Sequence, residues 1–545
     1  MRLDVNFVDY AMLAIYFVFV LGIGFAAKRF IKTSLDYFLS GRSLPAWITG
    51  LAFISANLGA LEILGMAANG AQFGVYTVHY YWVGAIPAMV FLGLVMMPFY
   101  YGSKVRSVPE YLRLRFNKPT HVFNSLSFAI ATVLIAGVNL YALALVLKLL
   151  LGWPILVGIV VAAAIVLVYI TLGGLSSAIY NEVLQFFVIL AALIPLTVVG
   201  LIDVGGWNGL KDQIVEMKGN DALMQSWAGA SDGDNPLGAS WIPIVFGLGF
   251  VLSFGYWTTN FAEVQRALSA KSLGAARRTP LIGAYPKIFI PAITIIPGLI
   301  ALVTIKGLGG DDPNLQYNNA IPLLMNEYLP NGMLGLALVG LIAAFMAGVA
   351  ANVSAFNTVV TYDLWEPYVK KDRSDDYYLN FGRIATVVGI LIGIVTALIA
   401  SGYTNIMDYI QLLFSFFNAP LFATFIIGMF WKRMTPWAGF WGLLAGTLGA
   451  VVAHYGNEWG WWDLGSAQAA AFWGAIAAFV ADAVVSVGVT LVTTPKPVSE
   501  LQGLVYGMAN EEEHVPASER VWYRRPMTLA WGALGLTTAL SLIFA

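Results

Sequence analysis

Cysteine is absent from all 545 residues, and only four histidines occur. The first absence excludes disulfides, thiol nucleophiles and cysteine-based metal sites. The second leaves His79, His121, His454 and His514 widely scattered, with neither zinc-ligand spacing nor a catalytic dyad among them. Charge is scarce too: 11% of residues are Asp, Glu, Lys or Arg, and the formal net charge is -1. With an isoelectric point near 6.4, the chain has no basic footprint for nucleic acid. What it has in excess is apolar surface, 59% hydrophobic residues and a mean hydropathy of +0.76. A chain of this composition needs a lipid bilayer as its solvent.

Apolar runs of about 20 residues span a hydrocarbon core of about 30 Å. Hydropathy predicts about fourteen such helices, over 7–27, 47–67, 75–100, 122–150, 154–171, 178–201 and 242–262, then 281–304, 333–360, 384–400, 406–431, 437–452, 469–493 and 527–544. The first lacks a basic leader and a small-residue cleavage site, so it reads as a retained helix. Lys and Arg alternate with the loops. If the first helix starts outside, residues such as Lys28, Arg29, Lys104, Arg113, Arg115, Arg266, Lys271, Arg278, Lys370 and Arg433 fall on the inside. Both termini are then extracellular, as are the long loops 203–241 and 306–332. The connection 495–525, with its acid run Glu511 to Glu513, reads as a solvated cytoplasmic loop.

Against this apolar background a few polar residues stand out. Asn57, Gly59 and Glu62 interrupt the second predicted helix, and a short carboxylate at mid-membrane has no route by which to snorkel. Ser253, Gly255 and Tyr256 interrupt the seventh in a similar way, and Lys287 lies several residues inside the eighth. Discontinuous helices with polar groups near the midplane are how secondary transporters build solute and ion sites. Bland roles compete at each position. Tyr81, Tyr256 and Trp257 can be core aromatics, Asn57 and Gln411 interhelical glue, and Lys287 a snorkelling cation. His79 and Asp482 read as locally satisfied packing residues.

Several motifs keep a recognisable order along the chain: Ser40-Gly41-Arg42-Ser43-Leu44-Pro45, Ala56-Asn57 with Glu62, Gly173-Gly174-Leu175, and Asn181-Glu182-Val183-Leu184-Gln185. They continue with Gly255-Tyr256-Trp257 leading to Gln265-Arg266, Lys287 ahead of Pro291 and Pro297-Gly298, Thr361-Tyr362-Asp363, Asp408-Tyr409-Ile410-Gln411 and Phe430-Trp431-Lys432-Arg433. Together they resemble the sodium:solute symporter family, in particular its sodium/glucose cotransporter branch. The resemblance implies an all-α polytopic membrane protein with a LeuT-type core of two inverted five-helix repeats, one helix before them and three after. The segments would be 1–44 (extra helix and cytoplasmic loop), 45–202 (first repeat), 203–240 (extracellular loop), 241–433 (second repeat) and 434–545 (three C-terminal helices).

The same resemblance implies a solute pocket and an ion site. Asn57 matches an asparagine that braces the inner-gate tyrosine, and Tyr256 matches that tyrosine; Lys287 and Gln411 match sugar-bonding residues, and Trp257 neighbours the gate. Three positions depart from the pattern, with Glu62, Tyr81 and Ser253 where sugar-bonding Gln or His, Glu and Asn would stand. At the ion site the matching positions are Ser55 and Leu58, which would offer backbone carbonyls, and Ala344, Ala347 and Gly348, where two serine hydroxyls are missing. Glu182 matches an acidic residue nearby. Hard cations need oxygen ligands, so Na+ is the coupling ion the resemblance implies, while the lost hydroxyls and retained carboxylates Glu62 and Glu182 favour H+.

The expectation is a plasma-membrane solute:cation symporter, neither an enzyme nor dependent on a cofactor beyond the coupling ion, for a small polar, sugar-like or polyol-like solute. No obligate protein partner is inferred. The competing expectations are an ion-uncoupled uniporter and a transporter-like sensor that binds without translocating.

Overall fold

The computed structural model describes residues 5–29, 32–312, 314–508 and 521–544. The acid run Glu511 to Glu513 and His514 lie outside the described residues. The architecture is helical throughout; an isolated bridge between Leu44 and Ala270 is the one strand-like pairing among the described residues. Helices are the expected solution where no water can satisfy backbone N–H and C=O groups.

Among the described residues, eleven helices are long and apolar enough to cross a membrane, and two bent pairs raise the number to thirteen. The fifth expected helix, 154–171, corresponds to the shorter apolar stretch Ile155–Val168, and fourteen is reached only by adding it. That stretch runs into the next at Gly174, whose φ of +52° breaks the helical path. A Cβ there would stand 2.6 Å from the Tyr37 ring, so glycine is required twice over.

Two bent spans set up the site. Ala46–Asn57 meets Leu61–Val78 at 58°, and Pro243–Thr259 meets Phe261–Leu268 at 49°. The first break falls at Asn57 to Gly59, as the sequence suggests. The second does not fall at Ser253 to Tyr256: it lies at Asn260, whose side chain caps Ala262 N–H at 3.0 Å and starts the second half. Ser253 instead ends a wide-pitched π-type stretch, Pro243–Ser253. An N-cap residue, which stops and restarts a helix, marks the bend better than small residues do.

Helices Lys118–Leu151 and Met333–Val359 form the centre, whereas Phe7–Lys28 and Pro526–Ile543 are peripheral. Two of the arginines expected on the inside are buried. Arg115 donates to the carbonyls of Gly428 (2.8 Å), Met434 and Trp431 (both 3.1 Å), satisfying the carbonyl end of helix Ile406–Phe430. Arg266 is sealed in the core against Glu182.

Candidate functional site

Asn57 is the last residue before the first break, and Glu62 sits in the wide turn Leu61–Gly65 just after it. Tyr81 comes from the following span, Lys287 from helix Leu273–Thr304, and Tyr256 and Trp257 from the segment ahead of the second break. All of them turn inward on one point.

The Lys287 ammonium lies 2.7 Å from a Glu62 oxygen and donates to Asn57 Oδ1. Glu62 accepts a second bond from Tyr81 O–H at 2.6 Å. The ammonium also stands 4.8 Å from the Tyr81 ring centroid and 5.1 Å from that of Trp257, within cation–π range. Lys287 is 1% exposed, so it reaches inward and does not snorkel. Asn57 Nδ2 donates to Tyr256 O–H at 3.0 Å, and that hydroxyl donates to Glu263 at 2.7 Å. A hydrogen-bonded line Glu62–Lys287–Asn57–Tyr256–Glu263 therefore joins both broken spans through one intervening helix.

The line borders a small cavity. All eight residues expected to touch solute line it: Asn57, Glu62, Tyr81, Ser253, Tyr256, Trp257, Lys287 and Gln411. Its volume of ≈ 50 Å³ is far below the roughly 300–1,000 Å³ of ligand pockets. A sugar-sized solute does not fit this space unless its walls part. Tyr256 narrows it, its ring 4.8 Å from that of Phe414.

The ion-site positions are arranged differently. Ala344, Ala347 and Gly348 are buried on Met333–Val359 and offer no side-chain oxygen. Ser55 is buried beside the first break with its hydroxyl unpartnered, while its carbonyl accepts from Leu58 N–H at 3.0 Å. Glu182 is not a free carboxylate: both its oxygens are held by Arg266, through Nη2 and through Nε at 3.2 Å. That pairing gives each of its oxygens a charge-assisted hydrogen bond.

The packing expectations fit their surroundings. His79 sits 2.5 Å from the Ser226 carbonyl and 3.9 Å, ring to ring, from Trp227. Asp482 accepts from Thr424 (2.5 Å) and Ser486 (2.8 Å) between the last helices of the bundle. Sequence reasoning missed Glu263, Tyr80 and Phe414. Glu263 lies in the turn after Asn260, close enough to the expected membrane edge to pass for a solvated acid; its spacing from Tyr256, seven residues, is the signal available. No group of three or more His, Asp or Glu among the described residues could hold a metal ion. The site can bind a polar solute against aromatic walls and exchange hydrogen bonds with it.

Comparison with known proteins gives the family and the fold. The chain matches the sodium:solute symporter family over residues 37–446. It is 28% identical over 464 residues to the sodium/glucose cotransporter of Vibrio parahaemolyticus, covering 81% of this chain and 84% of the relative. It is 29% identical over 471 residues to the human sodium/myo-inositol cotransporter 2, covering 82% and 69%. Among solved structures, a substrate-bound, outward-open Na+-coupled sialic acid symporter superposes with a TM-score of 0.75 at 19% identity, covering 90% of this chain and 99% of that one. A nucleobase-cation-symport-1 family transporter in a closed conformation gives 0.55 at 14% identity, covering 86% and 97%. The chain belongs to the sodium:solute symporter family and has the LeuT-type fold of a polytopic membrane solute symporter, not of an enzyme.

Proposed function

From that membership, we propose that the protein carries a small polyhydroxylated solute, sugar-like or polyol-like, inward across the plasma membrane by alternating access. One observation carries the proposal: eight side chains from both broken spans and three other helices line one small cavity, with a charged pair in its wall. Relatives named for glucose and myo-inositol supply the substrate class. A lysine ammonium has three donors, of which Glu62 and Asn57 occupy two; the third is free to meet a solute hydroxyl. Glu62 can accept another, and the faces of Tyr256 and Trp257 suit the apolar C–H face of a ring. The repeats 45–202 and 241–433 would rock about this point, flanked by 1–44, the extracellular loop 203–240 and 434–545, with both termini outside.

Coupling is the second element. Sodium is the family's default ion, but the missing hydroxyls at Ala347 and Gly348 argue for sodium independence. With Glu182 held by Arg266, the carboxylates left in the hydrogen-bonded line at the cavity are Glu62 and Glu263.

Purified protein in proteoliposomes, assayed with labelled myo-inositol and glucose, tests both elements. Uptake against a gradient, driven by an inward pH gradient and indifferent to replacing sodium with choline, is the expected result. Collapse without sodium overturns the proton assignment; equilibration without accumulation identifies a uniporter. Binding without uptake identifies a sensor. Full affinity retained in both Glu62→Ala and Tyr256→Ala refutes the cavity as the solute site.

A further inference from the structure

One buried amide is used by none of this machinery. Asn139, 3% exposed in the middle of helix Lys118–Leu151, points its Oδ1 at the break in the first bent span and accepts from Ala60 N–H at 2.9 Å. Its Nδ2 donates to the Ile135 carbonyl at 3.1 Å, which fixes the amide's orientation. The slot it occupies exists because two residues lack side chains. A Cβ on Gly59 would stand 2.5 Å from Asn139 Oδ1, and one on Gly348 would stand 2.2 Å from Oδ1, 2.6 Å from Cγ and 2.9 Å from Nδ2. The whole amide therefore lies flat between the hinge of the first broken span and the central helix Met333–Val359.

The chemistry of the break explains why an acceptor is needed there. The first N–H groups after a helix break have no partner in their own helix, and a cap usually comes from the residue just before them. Here those residues are Leu58 and Gly59, which have no side-chain acceptor. Asn139 supplies the cap from a different helix. A neutral amide thus ties three elements together at the place where Ala347 and Gly348 offer no oxygen to a cation.

We propose that Asn139 is the positioning residue of the hinge: its amide holds the broken span against the central helices in the closed state, so no bound cation is required there. The inference rests on the alternating-access function proposed above and deepens it by replacing the ion's structural task with a side chain.

The test needs no solute. Because the chain has no native cysteine, an Ala85→Cys reporter in the cavity wall can be followed alone. Its rate of modification by a small membrane-permeant methanethiosulfonate reports how often the cavity opens. With Asn139 intact, the rate is expected to be the same in sodium and in choline. Asn139→Ala should raise it about three- to ten-fold in either ion, the loss of one buried hydrogen bond expressed as an opening equilibrium. Asn139→Asp places a carboxylate in the same slot and should make the rate slower in sodium than in choline, a response that a purely structural role would not create. If Asn139→Ala does not purify folded, Gly348→Ala, which drives a Cβ into the amide, should raise the rate in the same way.

A sodium-dependent rate with Asn139 intact overturns the inference, and would point to the unpartnered Ser55 hydroxyl as a cation ligand. An unchanged rate in Asn139→Ala and Gly348→Ala also overturns it. Solute uptake that persists while these rates do not move would leave the transport function standing and sink the hinge role alone; the reverse result would sink the transport function alone.

Discussion

Among the buried acid–base pairs of the described residues, Glu182–Arg266 and Glu62–Lys287 differ in what surrounds them. Glu182 and Arg266 are both fully buried, their side chains 0% exposed, and are joined through two donors; Arg266 spends a further N–H on the Ala262 carbonyl at 2.8 Å. The pair straps the long helix Ile155–Asp203 to the segment after the second break, and neither residue lines the cavity. Glu62 and Lys287 are nearly as buried, but their ligands are spread over Tyr81, Asn57 and two aromatic faces around a cavity. Removing one partner of a buried pair strands the other charge, which is costly wherever it happens. At the cavity the proposed solute would meet the stranded or shared charge; at the strap, away from the cavity lining, it would not.

The comparison breaks most visibly at the strap. Arg266→Met leaves Glu182 alone in the core and should cost about 3–5 kcal/mol, read as a large fall in the midpoint of thermal unfolding in detergent. Glu182→Gln combined with Arg266→Met should recover a substantial part of that loss. If Arg266→Met unfolds at the wild-type temperature, the pair is not a strap.

Glu62→Gln should have the opposite profile. It keeps the shape and a hydrogen-bonding group beside Lys287 and Tyr81, so the midpoint should move less than for Arg266→Met. Affinity for myo-inositol should fall about ten-fold, roughly 1.4 kcal/mol, measured by equilibrium binding. A variant that unfolds yet binds normally when folded would exchange the roles of the two pairs.

Tyr256→Phe comes next. It removes the hydroxyl that links Asn57 to Glu263 but keeps the ring, and should weaken binding by about 0.5–1.5 kcal/mol with little change in stability. An effect clearly larger than that of Glu62→Gln would place the centre of the site at Tyr256 rather than at the ion pair.

The smallest effect is expected at Trp257, whose ring faces the Lys287 ammonium from 5.1 Å. Trp257→Leu retains an apolar wall and should cost binding about 0.5–1 kcal/mol, the size of a modest cation–π contact. Loss of all detectable binding in a folded variant would make Trp257 a principal solute contact.

Much of the site is visible in the sequence because polar residues at membrane depth stand against an apolar background. Asn57, Glu62, Tyr256 and Lys287 are such residues, and the structure brings them together. Glu263, Arg266 and Arg115 are harder to find, since each lies near an expected membrane edge where a charge needs no explanation. Asn139 is a lone amide in a long apolar run, and nothing local says that it faces a glycine pair. The position of the second break follows from Asn260 acting as a cap, which competes poorly for notice with Ser253, Gly255 and Tyr256.

The sequence by itself determined the bilayer as solvent, the placement of the spans and the interruption at Asn57 to Gly59, because hydropathy over a 20-residue window and a glycine beside a polar residue are local properties. Tertiary structure decided which buried charges face a cavity and which are sealed. Lys287 finds Asn57 across 230 positions, Tyr256 finds the same residue across 199, and Arg266 finds Glu182 across 84. Partners so distant are chosen by the packing of helices, since desolvation penalises every unpaired charge alike and only the fold determines which opposite charge lies within reach.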